Sequence, residues 1–372
     1  MSFNRLTPEN LFLDTSASSS TYRDVRVINA EIEKAKKILE DKKNLEDLTV
    51  EEITKLGITL IENNDNAESE ELLNLVINRV KNQDTSDALR MRAESEHGLA
   101  NNQREKSQDE MAIAGYHRAL LFLEQSHNKG LEENTYYGVY YRIGKDLGIG
   151  YLKVDRFQAA ADVFRKEIAV AEKSKNTGGI PSVTSYCGLA LVSTKASPEM
   201  IAEGFALLYK ARTLYPSSQH RTSLDYASNW YHTGLAYERV GEYIEAYSQY
   251  RTALELRLYI IAQDQQDKVY RYSRVGDVYA GLGRVSLQLG PQYREEAKKY
   301  LDQALEAYQA LKAEKKAKEI QDLLLTFSVS SPAKERKEIP VTQTKAGAFQ
   351  QPFVPPLGSD PQKVSEILRP KQ

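Results

Sequence analysis

Small residues and aromatics recur at fixed spacings along this chain, and that recurrence constrains its fold more than any other feature. Between Ala227 and Leu256, the residues Trp230, Gly234, Tyr237, Gly241, Tyr243, Ala246, Tyr250 and Ala253 keep mostly three- and four-residue steps, the period of two consecutive helices. A glycine on one helix and an alanine on the next let two antiparallel backbones cross closely. Trp230, Tyr237 and Tyr250 then fill the volume around the crossing. A second unit repeats the spacing with Leu147, Gly148, Tyr151, Phe157, Ala160 and Phe164, and carries Glu167 where an alanine is expected. A third has Gly188, Leu191, Leu208, Ala211 and Pro216, with Gly204 in the small slot of the second helix. A fourth has Tyr279, Leu282, Gly283, Gly290, Ala297, Leu301 and Ala304. Looser copies stand at Gly98, Ala112, Tyr116 and Ala119, and at Leu56, Gly57, Leu60 and Leu73.

These markers resemble the tetratricopeptide repeat, in which helix A carries an aromatic, a small residue and a second aromatic. Helix B of that motif carries a small residue, an aromatic and an alanine. The resemblance covers about 50–327, and it implies an all-α solenoid, a right-handed superhelix of about six antiparallel helix pairs. The marker glycines at 57, 98, 148, 188, 234 and 283 are 41, 50, 40, 46 and 49 residues apart, more than the usual 34. Longer helices account for the excess, because 243–266 and 268–289 contain no internal breaker. Extended units of this kind are similar to those of the kinesin-light-chain type and of bacterial peptide-sensing regulators.

Local signals agree with helices throughout. Thr49 with Glu52 and Ser107 with Glu110 each read as a capping box, and Ser197-Pro198-Glu199 reads as an N-cap followed by a first-turn proline. Gly178-Gly179, Pro216-Ser217-Ser218 and Gly290-Pro291 read as breaks. Of the 12 prolines, 7 follow Ser331, a density that forbids continuous helix. The expected organisation is therefore a flexible segment at 1–22, a capping helix at 23–47, the array with its C-terminal capping helix at 48–327, and a disordered tail at 328–372. A stack of repeats needs such caps, since its end faces have no neighbour. Residues 306–327 supply the second one, with Tyr308, Leu311, Ile320 and Leu323 to Leu325.

Composition narrows the function classes. A formal net charge of −2 argues against nucleic acid, which calls for a strongly basic surface. The segment 31–71 carries a net charge of −7 and 328–372 one of +3, opposite-signed ends with the character of solvated faces. Cys187 is the only cysteine, so it forms no internal disulfide and reads as a small buried hydrophobe. None of His97, His117, His127, His220 and His232 stands in a metal-ligand motif, and no cofactor is expected. Gly144-Lys145-Asp146 lacks the glycine and the strand of a phosphate loop. No apolar run reaches the roughly 20 residues of a membrane span, and the polar start lacks a signal peptide, so a cytoplasmic location is expected. No convincing catalytic side chain stands out. Nothing indicates homo-oligomerisation.

The resemblance carries the site. In tetratricopeptide proteins the A helices line a concave groove and touch the partner through positions around the marker glycine. Here those positions are Arg92, Ser95 and Leu99, then Arg142, Lys145, Ile149 and Lys153, then Ser182, Ser185 and Leu189. Ser228, Tyr231, Leu235 and Arg239 follow, with Asp277 and Arg284 last. The lysine/asparagine/arginine clamp of chaperone-binding members is absent, since Leu189 and Leu235 stand where asparagine is expected. The resemblance implies a non-catalytic interaction scaffold or adaptor that takes an acidic or mixed acidic-apolar segment of another protein. A peptide-sensing regulator is the alternative, and an enzyme or toxin domain a more distant one.

Overall fold

The computed structural model describes residues 37, 47–62, 66–173, 179–215, 223–263 and 268–329. Among them every regular element is helical, as the marker spacing requires. The chain divides into two compact units, 1–183 and 184–372.

The first unit holds α1 (Val50–Glu62), α2 (Asn66–Val80), α3 (Ser86–Glu105), α4 (Asp109–Asn128), α5 (Glu133–Lys153) and α6 (Phe157–Lys173). The capping box before α1 forms in both directions. Thr49 N–H donates to Glu52 Oε2 at 2.9 Å, and Glu52 N–H donates to Thr49 Oγ1 at 3.2 Å. Thr85 caps α3 by accepting from Ala88 N–H at 3.3 Å. The box expected at Ser107 and Glu110 does not form. Ser107 takes φ 58° in the turn, and α4 starts after Gln108, which makes no side-chain cap bond. Ser107 N–H closes on Arg104 C=O and Gln108 N–H on Gln103 C=O, so the backbone turn satisfies what the cap would have served.

Pairing follows the markers. Gly148 of α5 lies so close to the Phe164 ring of α6 that a methyl there would collide with it. Ala112, Ile113, Tyr116, Ala119 and Leu123 of α4 form one core with Ala93 and Ala100 of α3 and Val139, Ile143 and Leu147 of α5. Each helix packs on its neighbours in sequence, and among the A helices α3 also touches both α1 and α5 directly. One layer of this unit is therefore built from A helices alone.

The second unit begins within α7 (Ile180–Thr194) and continues through α8 (Pro198–Thr213), α9 (Leu224–Val240) and α10 (Tyr243–Gln263). After α11 (Lys268–Leu289), a 3-10 turn at Pro291–Tyr293 leads into α12 (Arg294–Ala310) and α13 (Glu314–Val329). Ser197 caps α8 as expected, accepting from Met200 N–H at 3.2 Å. Gly241 ends α9 with φ 83°, a left-handed conformation that glycine adopts without a Cβ penalty. Gly188 and Gly204 face each other across α7 and α8, where a Cβ on either would meet the other's carbonyl oxygen at 2.6 or 2.7 Å. A Cβ on Gly234 of α9 would meet the Tyr250 ring at 2.7 Å, and one on Gly281 of α11 would meet the same ring at 2.7 Å. Cys187 is fully buried.

The expected 306–327 cap is divided at Leu311–Ala313. Tyr308 closes α12, Ile320 belongs to α13, and the two meet in one core cluster with Leu301, Ala304 and Ala317. The capping helix expected at 23–47 lies outside the described residues except for Lys37 and Asp47. The tail lies outside them beyond Val329, as does the Pro216-Ser217-Ser218 break.

Candidate functional site

A helix that packs against a partner on one side leaves its i, i+3, i+4 stripe on the other side to face the next A helix or solvent. In the first unit the stripe on α3 is polar: Arg90, Glu94, His97, Asn101 and Arg104. It meets α5 through a ladder of charges. Arg142 donates to Glu94 Oε1 at 2.9 Å, and Arg90 donates to Glu94 Oε2 at 2.9 Å. One step along, Asp146 Oδ2 pairs with His97 Nε2 at 2.8 Å and Asp146 Oδ1 accepts from Arg104 at 2.8 Å. Burial opposes the charge on Asp146, but hydrogen bonds and the fields of His97 and Arg104 hold its carboxyl well below the usual range. Behind them Tyr116 Oη donates to Asn101 Oδ1 at 2.7 Å.

The residues selected from sequence fall into three groups here. Arg142 is exposed yet paired with Glu94, and Lys153 lies 3.6 Å from Asp109. Lys145 and Ile149 sit part-exposed on the same helix. Ser95 is 0% exposed with an unpartnered hydroxyl, and Arg92 lays its guanidinium 4.0 Å from the Phe122 ring centroid. Ser95 therefore leaves the candidate surface, and Arg92 stacks on helix B. The reason is helical phase, because the roughly 100° turn of a single residue separates Glu94 on the polar stripe of α3 from Ser95 in the core.

The second unit repeats the principle with other residues. Arg284 of α11 forks onto Glu238 of α9, at 2.7 Å from Nε and 3.0 Å from the terminal nitrogen, and Glu238 also accepts from Tyr250 Oη at 2.5 Å. Asp277 accepts from Tyr308 Oη at 2.6 Å and from Lys316 of α13 at 2.8 Å. Tyr231 is part-exposed, with the Tyr250 ring 5.7 Å away and the Arg257 guanidinium 5.1 Å over its own ring. Burial is the main reason its hydroxyl is held above the ordinary tyrosine range, and Asp277 adds to it. Leu235 and Arg239 are part-exposed, whereas Leu189 is 5% exposed and belongs to the core.

Sequence reasoning missed the carboxylates that answer these cations. The available signal was opposite charge about one repeat apart: Glu94 with Arg142, and Glu238 with Arg284. It also missed a buried polar network. Arg212 of α8 donates to Asn229 Oδ1 at 2.9 Å, Thr233 Oγ1 at 2.9 Å and Gln249 Oε1 at 3.3 Å, with its guanidinium 3.5 Å over Trp230. Burial lowers its pKa to about 10. Asn229 reaches Leu208 C=O at 3.0 Å and Ser185 Oγ at 3.1 Å, and Ser185 Oγ lies 2.9 Å from His232 Nδ1. Burial, with a smaller contribution from Arg257, drives His232 down to about 3, so it stands neutral at ordinary pH. These groups bind one another, and the arrangement is that of a brace between helices.

No protein-family model matches this sequence, and no curated protein matches it. Solved structures do. RapI, in its apo form, matches with a TM-score of 0.55 and 11% identity over 77% of this chain and 99% of that one. NprR, solved in complex with its cognate peptide NprX, matches with a TM-score of 0.50 and 15% identity over 83% of this chain and 84% of that one. BtubC from P. vanneervenii gives 0.43 and 13% over 77% and 99%. With RapI and NprR the likeness is one of fold, a solenoid of helical repeats.

Proposed function

We propose that this chain is a tetratricopeptide-type protein with extended repeats whose A-helix layer holds a segment of another protein without acting on it chemically. The observation that carries the reading is the A-helix layer itself, where α5 presents Arg142, Lys145, Ile149 and Lys153 beside the polar stripe of α3. A fold-level neighbour, NprR, was solved with a peptide bound, which supports the same use here. A cytoplasmic site of action goes with this reading.

The charge preference is narrower than composition suggests. Arg142 and Arg284 already face the chain's own carboxylates, so an acidic partner must compete with Glu94 or Glu238 for them. Lys145 and the part-exposed Ile149 in the first unit, and separately the part-exposed Tyr231 and Leu235 in the second, are the groups with least to lose. Recognition then takes a modest electrostatic part and a larger apolar one, and electrostatics mainly sets the encounter rate.

The test is fluorescence polarisation of the full chain against labelled peptides that place Glu or Asp beside Leu or Phe, with charge-reversed controls. Affinity on the order of micromolar is expected, since the segment must be ordered on binding. Arg142→Glu with Lys145→Glu should weaken it at least about tenfold, about 1.4 kcal/mol, with helicity unchanged. Normal binding by the double variant at low salt would remove this face from consideration. Mass spectrometry of the purified protein separates scaffold from sensor, because a sensor retains a short peptide.

A further inference from the structure

Glu167 occupies a slot that four other helix pairs give to alanine. Counted from the markers, Ala119, Ala211, Ala253 and Ala304 hold the equivalent position and each is 0% exposed, while Glu167 is 1% exposed. Directly opposite on α5 is Gly144, where a methyl group would collide with Glu167 Oε1. The corresponding helix-A position, four residues before the marker glycine, holds Glu94, Thr184, Trp230 and Tyr279 in the other pairs. Volume is thus exchanged across the crossing: the side chain missing at Gly144 makes room for the one added at Glu167.

Polarity is not balanced in the same way. Both carboxyl oxygens of Glu167 are buried with no hydrogen-bond partner, and no cation pairs with it among the described residues. The titratable groups whose fields reach it are Tyr136 and Tyr140 of α5, which also feel Glu124 of α4. Burial raises both tyrosines, so they stay neutral and offer no counter-charge. A neutral carboxyl is tolerated in such a place far better than a carboxylate, whose desolvation nothing offsets.

We propose that the Gly144–Glu167 contact is an ionisation-dependent latch: with Glu167 protonated α5 and α6 close, and loss of its proton to solvent opens this pair while the alanine-bearing pairs stay shut. Desolvation pushes the carboxyl up to about 9, which agrees with the geometry. In the open pair a solvated Glu167 titrates near its ordinary value of 4.5. Between these limits the closed pair binds one proton more than the open pair. The opening constant therefore rises about tenfold per pH unit across that window. Because α5 also carries Arg142, Lys145, Ile149 and Lys153, opening moves the candidate binding face with it. The latch itself does not depend on what binds there.

Hydrogen exchange by mass spectrometry on the full chain tests it, at pH 6, 7 and 8 with rates corrected for intrinsic exchange. In the wild type, opening of α5 and α6 should rise about tenfold per pH unit relative to α9 and α10, the internal reference with Ala253 in the slot. In Glu167→Gln and Glu167→Ala that rise should vanish. If α5–α6 tracks α9–α10 in the wild type, or Glu167→Gln keeps the pH dependence, the latch is wrong. Should both variants fail to fold, carbon-13 NMR of the wild-type carboxyl decides: a midpoint above pH 6 supports the latch, and one at or below pH 6 overturns it.

Discussion

In α9–α10 the Tyr250 ring lies over Gly234, Ala246 and Ala253 are fully buried, and the tyrosine hydroxyl reaches Glu238, which in turn holds Arg284. In α5–α6 the Phe164 ring lies over Gly148 and Ala160 is fully buried in the same way, yet the last slot holds a carboxyl with no partner. The two pairs share one solution for volume and differ in how they treat charge. Close packing depends on shape and repeats with the sequence spacing, so both crossings obey it. Polar satisfaction depends on which third helix brings a partner. For Glu238 that is Arg284 of α11, and for Glu167 none arrives among the described residues. A repeat motif fixes the first property and leaves the second to each unit.

The comparison breaks most visibly at the crossings. Gly148→Leu and Gly234→Leu should each cost about 3 kcal/mol or more, the upper end for overpacking, because an aromatic ring has no room to withdraw. Chemical denaturation of the two variants checks this, and near-wild-type midpoints would show that the helices can separate freely. A clear difference between them would show that the pairs are not equivalent in packing after all.

A smaller effect separates the pairs by charge. Glu167→Gln removes a carboxyl whose folded pKa, about 9, lies above its unfolded value. For such a group the folded state holds the extra proton, so wild-type stability is highest below about pH 4.5 and falls as pH rises toward 9. The variant should gain about 3 kcal/mol at pH 7, nothing near pH 4, and more at pH 8.5. Urea denaturation of the first unit's helices at these pH values reads it directly. A gain that does not grow with pH would place the carboxyl in a better solvated site than its 1% exposure implies.

The smallest expected effect lies in the turns. Asp155 between α5 and α6 has φ 57°, and Gly241 between α9 and α10 has φ 83°. Both turns close with the same pair of bonds, Arg156 N–H to Tyr151 C=O and Asp155 N–H to Leu152 C=O in one, Glu242 N–H to Tyr237 C=O and Gly241 N–H to Glu238 C=O in the other. Asp155→Gly should stabilise by about 0.5 kcal/mol and Gly241→Asp destabilise by about 1 kcal/mol, since an L-residue is strained in the left-handed region. Opposite signs in thermal melts would confirm that the turns are interchangeable.

The sequence by itself determined the pairing of helices. Gly148 with Phe164, Gly234 with Tyr250 and Gly283 with Leu301 were legible because each contact joins two helices adjacent in the chain, at a spacing set by helix geometry. Thr49 with Glu52 and Ser197 with Met200 N–H were legible for the same reason, since a cap is local chemistry. The turn at Ser107 was not, because nothing in a serine announces a left-handed conformation. Only the tertiary structure decided which members of the candidate face remain on the surface and what answers their charge. Ser95 and Leu189 went inside, and Arg142 and Arg284 met Glu94 and Glu238 from helices 48 and 46 residues away. Those outcomes depend on the rotation of each A helix against the next. The marker spacing fixes where two helices cross, but a few tens of degrees of rotation separate a paired cation from a free one and a buried serine from an exposed one.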